Sequence, residues 1–254
     1  MKLIKIGKLN TLALKTEIQK TLTPAQRRER NREEVSSLIL EAARAVMRED
    51  GVAALNLNEV ARRVNMKTPS LYEYFPGKMA IYDALYLKGV QIYTRSIEKV
   101  AGNKDLEFWD RVEERIWHFM NFAYENPDLY FLVFERPVPE FTPSEKSMAE
   151  SYRLLQVSDA MLQQYAPGNL NTDLPLEQVR DIFIMVMQGL TSNQMANEPH
   201  LPPGQGRFGS LIPVARAILE AAWGKPVSAT KTHKKTKKTG ETEKQAKIRK
   251  HKKA

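Results

Sequence analysis

Apolar residues recur at helical spacing through most of the chain, and no segment alternates apolar and polar residues as a strand does. Caps, prolines and glycines divide this pattern, beginning with Thr23-Pro24 before the first predicted helix and Gly51 after it. Helices are predicted at about 24–50, 57–64, 68–75, 79–100, 106–125, 129–134, 144–166, 174–195 and 208–223. The pattern therefore predicts an all-α fold.

The most distinctive stretch is 55–78, which reads as two short helices around a tight turn. Asn56 is suited to cap the first helix, with Glu59 at its third position, an arrangement that satisfies free backbone N–H groups. The turn Asn65-Met66-Lys67 has the length found in helix-turn-helix motifs, although Asn65 stands where many such turns carry Gly.

The second helix of this stretch is predicted to begin with Thr68 as cap and Pro69 at its first position, and Pro76-Gly77 ends the element. With Leu71 and Phe75 directed at the first helix, a hydroxyl-rich and partly cationic surface remains. It consists of Lys67, Thr68, Ser70, Tyr72, Tyr74 and Lys78. Such a surface suits phosphate and base-edge contacts in a major groove, but the two tyrosines are also compatible with boundary positions whose rings are buried.

The segment EVARRVNMKTPSLYEYFPGK resembles the helix-turn-helix of TetR/AcrR-type bacterial transcriptional regulators, and ILEAARAVMREDGVAALNLNEVA resembles its lead-in. The resemblance implies DNA binding. Tyr74 replaces the usual His, and Glu73 departs from the pattern by placing a carboxylate near DNA. The expected DNA-contacting residues are Asn56, Lys67, Thr68, Pro69, Ser70, Tyr72, Tyr74 and Lys78.

Four regions are expected: a disordered N-terminal arm (1–22), a three-helix DNA-binding domain (23–78), a helical-bundle domain for ligand binding and dimerisation (79–223) and a disordered Lys-rich tail (224–254). The last two long helices are more apolar than one core needs. A twofold four-helix dimer interface, which the resembled family builds from its last two helices, is favoured over plain core packing.

The second half of the chain carries a further resemblance, to the TetR subgroup that has a tryptophan-histidine-glycine signature. Its basis is ENPDLYFLVFERPVPEF and VMQGLTS, where Gln188 stands in place of the His. In the resembled family the helix after Lys78 joins the DNA-binding module to the regulatory core. Candidate pocket residues are Trp117, Phe122, Tyr152, Met185 and Gln188, although an aromatic or Met residue at helical spacing more often belongs simply to the core.

Charge is distributed very unevenly. Residues 1–34 carry nine Lys/Arg against four Asp/Glu, 35–78 six against five, 79–223 twelve against nineteen, and 224–254 twelve against two. An acidic body would be repelled by a phosphate backbone, so the N-terminal end is the expected DNA-facing end. The basic stretch 27–32 suits either phosphate contacts or a solvated helix laced with Glu/Arg pairs.

The composition argues against several other classes of protein. There is no cysteine, the four histidines lack partners at metal-ligand spacing, and no nucleophile–base set or phosphate-cradling Gly loop occurs. No enzyme activity, metal or cofactor is expected. No apolar run approaches a membrane span, and the N-terminus lacks a signal-peptide pattern, so a cytoplasmic location is expected.

These features predict a homodimeric repressor that binds an inverted-repeat operator in double-stranded DNA and is released by a small-molecule effector. The alternative is an architectural, nucleoid-type protein that relies on the basic tail and has no effector.

Overall fold

The computed structural model describes residues 23–225. The predicted arm at 1–22 and residues 226–254 of the predicted tail lie outside the described residues. Within 23–225 the chain is helical, and extended pairing is limited to one isolated bridge between Leu170 and Gly224. The all-α prediction is confirmed for this part of the chain. No helix between residues 23 and 225 is long and apolar enough to span a membrane.

The helices follow one another with short connections. A 3₁₀ turn at Val52–Ala54 and a π turn at Phe131–Glu135 lie between them. In chain order they are α1 (Pro24–Asp50), α2 (Leu57–Arg63), α3 (Thr68–Leu71), α4 (Lys78–Gly102), α5 (Phe108–Glu125), α6 (Pro127–Tyr130), α7 (Glu145–Asn169), α8 (Leu176–Asn197), α9 (Gly206–Gly209) and α10 (Ile212–Trp223).

The start and end of α1 follow from local chemistry, as predicted. The Gln26 N–H donates to Thr23 Oγ1 at 3.3 Å, and the Thr23 N–H donates to Gln26 Oε1 at 2.9 Å. This reciprocal capping box satisfies donors that a helix start leaves free. Gly51, at φ 93°, leaves the helical conformation in a region that side-chain-bearing residues disfavour, and α1 ends there.

Four predicted helices differ from the structure. The helix predicted at 129–134 is instead α6, which begins at Pro127 and ends at Tyr130, followed by the π turn Phe131–Glu135. Helix α3 ends at Leu71 instead of running to residue 75, and α7 continues through Pro167 to Asn169. The predicted helix 208–223 is divided in two, because Pro213 lacks the N–H that a continuous helix would need there. Pro213 instead occupies the first turn of α10, where that N–H is not needed.

One hydrophobic core extends across the predicted boundary at residue 78. Buried residues of α1, such as Ile39 and Val46, belong to the same cluster as Ile81 and Leu85 of α4 and reach as far as Met187 of α8. A second cluster is built around Phe108 of α5, and its buried members come from α5, α7, α8, α10 and Leu170. Helix α4 is therefore common to the N-terminal helices and the bundle.

A buried ion pair reinforces this junction. Arg44 of α1 donates from Nε to Asp128 Oδ2 at 2.6 Å, and from Nη2 to Asn126 Oδ1 at 2.9 Å. Arg48 Nη1 lies 3.2 Å from the other Asp128 oxygen, Oδ1. The Asp128 side chain has no solvent exposure. The start of α6 is thus fixed to the back of α1 by charges that solvent does not screen.

We predict that Asp128→Asn lowers the free energy of unfolding by about 3 kcal/mol, because Arg44 would lose its buried counter-ion and keep only the exposed Glu41, 3.8 Å away. Chemical denaturation measures this loss. The matched control is Glu41→Gln, which removes an exposed partner of Arg44 and Lys88 and should cost under about 1 kcal/mol. Equal losses in the two variants would contradict the special role assigned to Asp128.

Candidate nucleic-acid interface

Helix α2 is capped as predicted, but its acidic third position serves another purpose. Asn56 Oδ1 accepts from the Asn58 N–H at 2.9 Å. The Glu59 carboxylate does not return to the cap; it accepts hydrogen bonds from Arg62 and Arg63 at 2.7–2.8 Å. These hydrogen bonds, first from Arg62 and then from Arg63, lower the pKa of Glu59 to about 2. Glu59 therefore remains ionised at neutral pH and orients both arginines.

The turn between α2 and α3 depends on Asn65. Its φ of 54° lies in the left-handed region, where Asn is tolerated far better than most residues. Directly after it, the Met66 N–H donates to the Ala61 carbonyl at 2.9 Å, closing the end of α2. Asn65 thus supplies the backbone conformation for which many such turns use Gly.

Thr68 is the first residue of α3 and not its cap. Lys67 occupies the cap position and makes no side-chain capping bond. The Thr68 hydroxyl instead donates to Asn58 Oδ1 at 2.9 Å. This hydrogen bond joins the first residue of α3 to α2, so Thr68 helps to fix the angle between the two helices.

The front of α1 packs beside the segment that follows α3. Arg32 Nη2 donates to the Glu73 carbonyl at 2.9 Å, and its guanidinium lies 5.9 Å from the centroid of the Tyr74 ring. Lys78 Nζ lies 5.7 Å from the centroid of the Tyr82 ring. Of the predicted contact residues, Tyr74 and Lys78 are therefore partly engaged within the protein, and the Glu73 side chain is exposed.

An open groove of about 730 Å³ lies along α2 and the start of α3. Its lining combines cations, amides and apolar edges: Asn58, Arg62, Asn65, Met66, Lys67, Thr68 and Pro69. Tyr72, 53% exposed, projects from the turn after α3, and Ser70 is partly buried. Asn56, Ser70 and Tyr72 do not line the groove.

Asn58 and Arg62 were not among the residues predicted from the sequence. The side chain of Arg62 is 73% exposed. The two residues are four apart on α2 and so share one helix face. That spacing, in a helix preceding the turn, was the signal that could have identified them.

The five predicted pocket residues do not form a common site. Trp117 packs on Gly204, where an added Cβ would lie 2.1 Å from its ring. Phe122 belongs to an aromatic core with Tyr93 and Phe134. The remaining three predicted residues are placed as follows: Tyr152 is 58% exposed, Met185 is 64% exposed, and Gln188 is partly buried.

A cavity lies elsewhere in the bundle, and none of the five predicted residues lines it. It is lined by Val112, Arg115, Ile116, Met161, Leu162, Arg180, Phe183, Ile184, Met187 and Leu219. The prediction missed it because Tyr152 and Met185 lie on the outward faces of α7 and α8, whereas residues on other faces of the same helices line the cavity.

Comparison with known proteins identifies the N-terminal part of the chain. Residues 39–85 match the family model described as bacterial regulatory proteins, tetR family. An uncharacterized HTH-type transcriptional regulator of Bacillus subtilis, YobS, is 28% identical over 94 residues, which is 37% of this chain. The match spans 48% of that relative, about half its length.

Solved structures share the fold over most of the chain. A protein of unknown function from Rhodococcus sp. RHA1 has a TM-score of 0.61 at 14% sequence identity. The aligned region covers 75% of this chain and 95% of the Rhodococcus chain. The regulator FadR from Bacillus subtilis, in complex with stearoyl-CoA, has a TM-score of 0.56 at 13% sequence identity. The aligned region covers 72% of this chain and 96% of the FadR chain. At these identities the likeness concerns the fold.

The turn gives a testable prediction. Asn65→Val should lower the free energy of unfolding by about 1–2 kcal/mol, because a β-branched residue is strained at positive φ. Asn65→Gly should be neutral or slightly stabilising, since Gly adopts this conformation freely. Thermal denaturation of both variants measures the difference. If the Val variant were as stable as the Gly variant, the backbone conformation would not be what selects Asn at this position.

Proposed function

We propose that the chain is a homodimeric transcriptional repressor of the TetR family, whose family model matches residues 39–85. It binds an inverted-repeat operator in double-stranded DNA and is released by a small-molecule effector. The observation that carries the proposal is the groove that combines Arg62 and Lys67 with Asn58 and Pro69 on an exposed helix-turn-helix.

The groove residues supply the two kinds of contact that a DNA-reading surface needs. Arg62 and Lys67 would neutralise phosphates, a contribution that does not depend on base sequence. Asn58 offers an amide to base edges, and Pro69 an apolar edge for a thymine methyl group. Tyr72 stands free beside the groove and would hold a phosphate. Residues 79–223, with a net charge of −7 from twelve basic and nineteen acidic residues, would face away from DNA.

The surface of α10 supports pairing of two chains. Every exposed residue of this helix is apolar: Pro213, Val214, Ala217, Ile218, Ala221 and Ala222. Met185 of α8 adds a large exposed side chain. An apolar surface without charge is unfavourable in water and is typical of a subunit interface. Self-complementary pairing of α8 and α10 would place two copies of α3 roughly 34–36 Å apart, one DNA turn, or somewhat more.

Effector control is supported by the position of the bundle cavity. The Bacillus subtilis FadR of the same fold is described in complex with stearoyl-CoA, so this fold accommodates an organic ligand. Here the cavity lies between α5, α7 and α8, and α4 runs from this bundle to the helix-turn-helix. A ligand that binds the non-DNA-binding arrangement better by about 1.4 kcal/mol would shift the equilibrium tenfold.

The experiment that tests the proposal is selection of bound fragments from the source genome, followed by affinity measurements on the recovered site. We predict that Lys67→Ala and Arg62→Ala each weaken binding about 5- to 50-fold and reduce the salt dependence of binding by about one counter-ion. Lys146→Ala, which removes an exposed lysine at the start of α7, is the control and should leave affinity unchanged.

Deletion of residues 224–254, which include twelve basic and two acidic residues, distinguishes a repressor from an architectural DNA-binding protein. A repressor should lose affinity for all sequences alike and keep its preference for the selected site. Loss of the preference itself, or failure to recover any preferred site at physiological salt, would reject the repressor proposal.

The pairing surface yields a separate prediction. Ile218→Glu places a charge at the centre of the apolar α10 face, where Ile218 is 63% exposed, and should convert the dimer to monomers in sedimentation velocity. Leu38→Glu is the matched control, because Leu38 of α1 is 62% exposed but lies outside α8 and α10. A dimer that persists in the Ile218 variant, or dissociates equally in both, would rule out this interface.

A further inference from the structure

The bundle cavity combines an apolar lining with two guanidinium groups. Its volume is about 20 Å³, enough for about one water molecule. It lies where the two hydrophobic clusters meet, since Ile116 and Met187 belong to one cluster and Met161 and Leu219 to the other. Packing between the clusters is therefore incomplete at this point.

The two arginines of the cavity differ in how their charges are balanced. Arg180 lies 2.7 Å from Asp159 Oδ1 and 2.8 Å from Asp181 Oδ1, so its charge is neutralised twice. Arg115 donates to Ser158 Oγ at 2.8 Å and lies 4.0 Å from Met161 Sδ. Within residues 23–225 it has no carboxylate at ion-pair distance.

The neighbouring phenol does not supply the missing charge. Burial raises the pKa of Tyr93 to about 12, so Tyr93 is neutral at physiological pH. Its hydroxyl lies 3.5 Å from Met187 Sδ, which is uncharged as well. Burial also lowers the pKa of Arg115, yet a guanidinium remains protonated at neutral pH. A permanent cation is thus kept beside apolar side chains, and residues 23–225 supply no counter-ion for it.

We propose that the effector is a small amphipathic carboxylate whose anionic group pairs with Arg115 and whose apolar body occupies this cavity. The inference deepens the proposed function, on which it rests for the link to DNA release. A guanidinium binds a carboxylate through two parallel hydrogen bonds, and the partly buried position of Arg115 beside apolar side chains strengthens this pairing. Ile116, Phe183 and Met187 would contact the apolar body.

Because the cavity admits only about one water molecule, the ligand must displace α8 from α5 and α7 to enter. Flexible Met161 and Met187 would reshape around it. Helix α8 carries Phe183 and Met187 on the cavity side and Met185 on the outward side. Displacement of this one helix would therefore change the proposed dimer surface, which sets the spacing of the two DNA-reading heads.

The test uses the full-length protein and probes with matched carbon skeletons: octanoate against 1-octanol and octylamine, and decanoate against 1-decanol and decylamine. Binding is measured by thermal stabilisation and calorimetry without DNA. At least one carboxylate should bind the wild type, and its alcohol and amine counterparts should bind about 10- to 100-fold more weakly. Equal binding of the alcohols, or no binding by any carboxylate, would overturn the proposal.

Arg115→Met tests the anchor. It should weaken carboxylate binding about 10- to 100-fold while leaving the unliganded protein at least as stable as the wild type, because an uncompensated charge is replaced by an apolar side chain. Arg153→Met, an exposed arginine of α7 paired with Glu98 and Glu150, is the control and should bind carboxylates normally. A destabilised Arg115→Met protein that still binds carboxylates would show a merely structural role.

The two proposals fail in different ways. Carboxylate binding that depends on Arg115 but does not change affinity for the selected DNA site would keep Arg115 as a carboxylate-binding residue and reject the carboxylate as the effector. DNA release by a probe that binds equally well to Arg115→Met would support effector control and reject Arg115 as the anchor, since the ligand would then act through another site.

Discussion

The ion pair between Arg44 and Asp128 is the contact on which the arrangement of the whole chain depends, because it joins a long N-terminal helix to a short turn deep in the bundle. The partners are 84 residues apart, so the pair forms only when α1 and α6 have been brought together by the fold. Near it, α4 passes close to α6 and the π turn at Gly89, where an added Cβ would lie 3.0 Å from Val133 Cγ2 and 3.3 Å from Leu129 Cβ. The orientation of the helix-turn-helix is therefore set by a desolvated charge pair and a close helix crossing, both of which have few alternative geometries.

Side chains near the groove divide into those that build the DNA-reading surface and those that remain available to DNA. Glu59 restrains Arg62 and Arg63, Thr68 ties α3 to α2, and Arg32 holds the segment after α3. Lys67, Pro69 and Tyr72 are exposed and have no such structural task. A short helix of four residues is marginal by itself, so these ties are what keep α3 in one orientation.

The sequence predicted the elements with strong local signals and failed where geometry between helices decides. The capping box at Thr23, the Asn56 cap and the position of the turn at Asn65 follow from nearest neighbours along the chain, and the first two caps were predicted correctly. The Thr68 hydrogen bond to Asn58 depends on how two helices approach each other, and helix propensity carries no information about that approach.

The cavity was missed for a related reason. Aromatic and Met residues at helical spacing identify apolar positions, but only the helix rotation decides which of them face an unfilled space, and it exposes Met185 while turning Met187 inward.

The continuous core at α4 has an implication for how such a regulator is rearranged by recombination. Residues Ile81 and Leu85 complete the packing of α1 and at the same time contribute to the packing of the bundle. In a chimera joined at residue 78, α1 of one protein would have to pack against α4 of another protein, whose side chains do not complement it. Exchange of DNA-reading heads between relatives is therefore best tolerated when α4 travels with the head and the crossover falls in the short segment after Gly102.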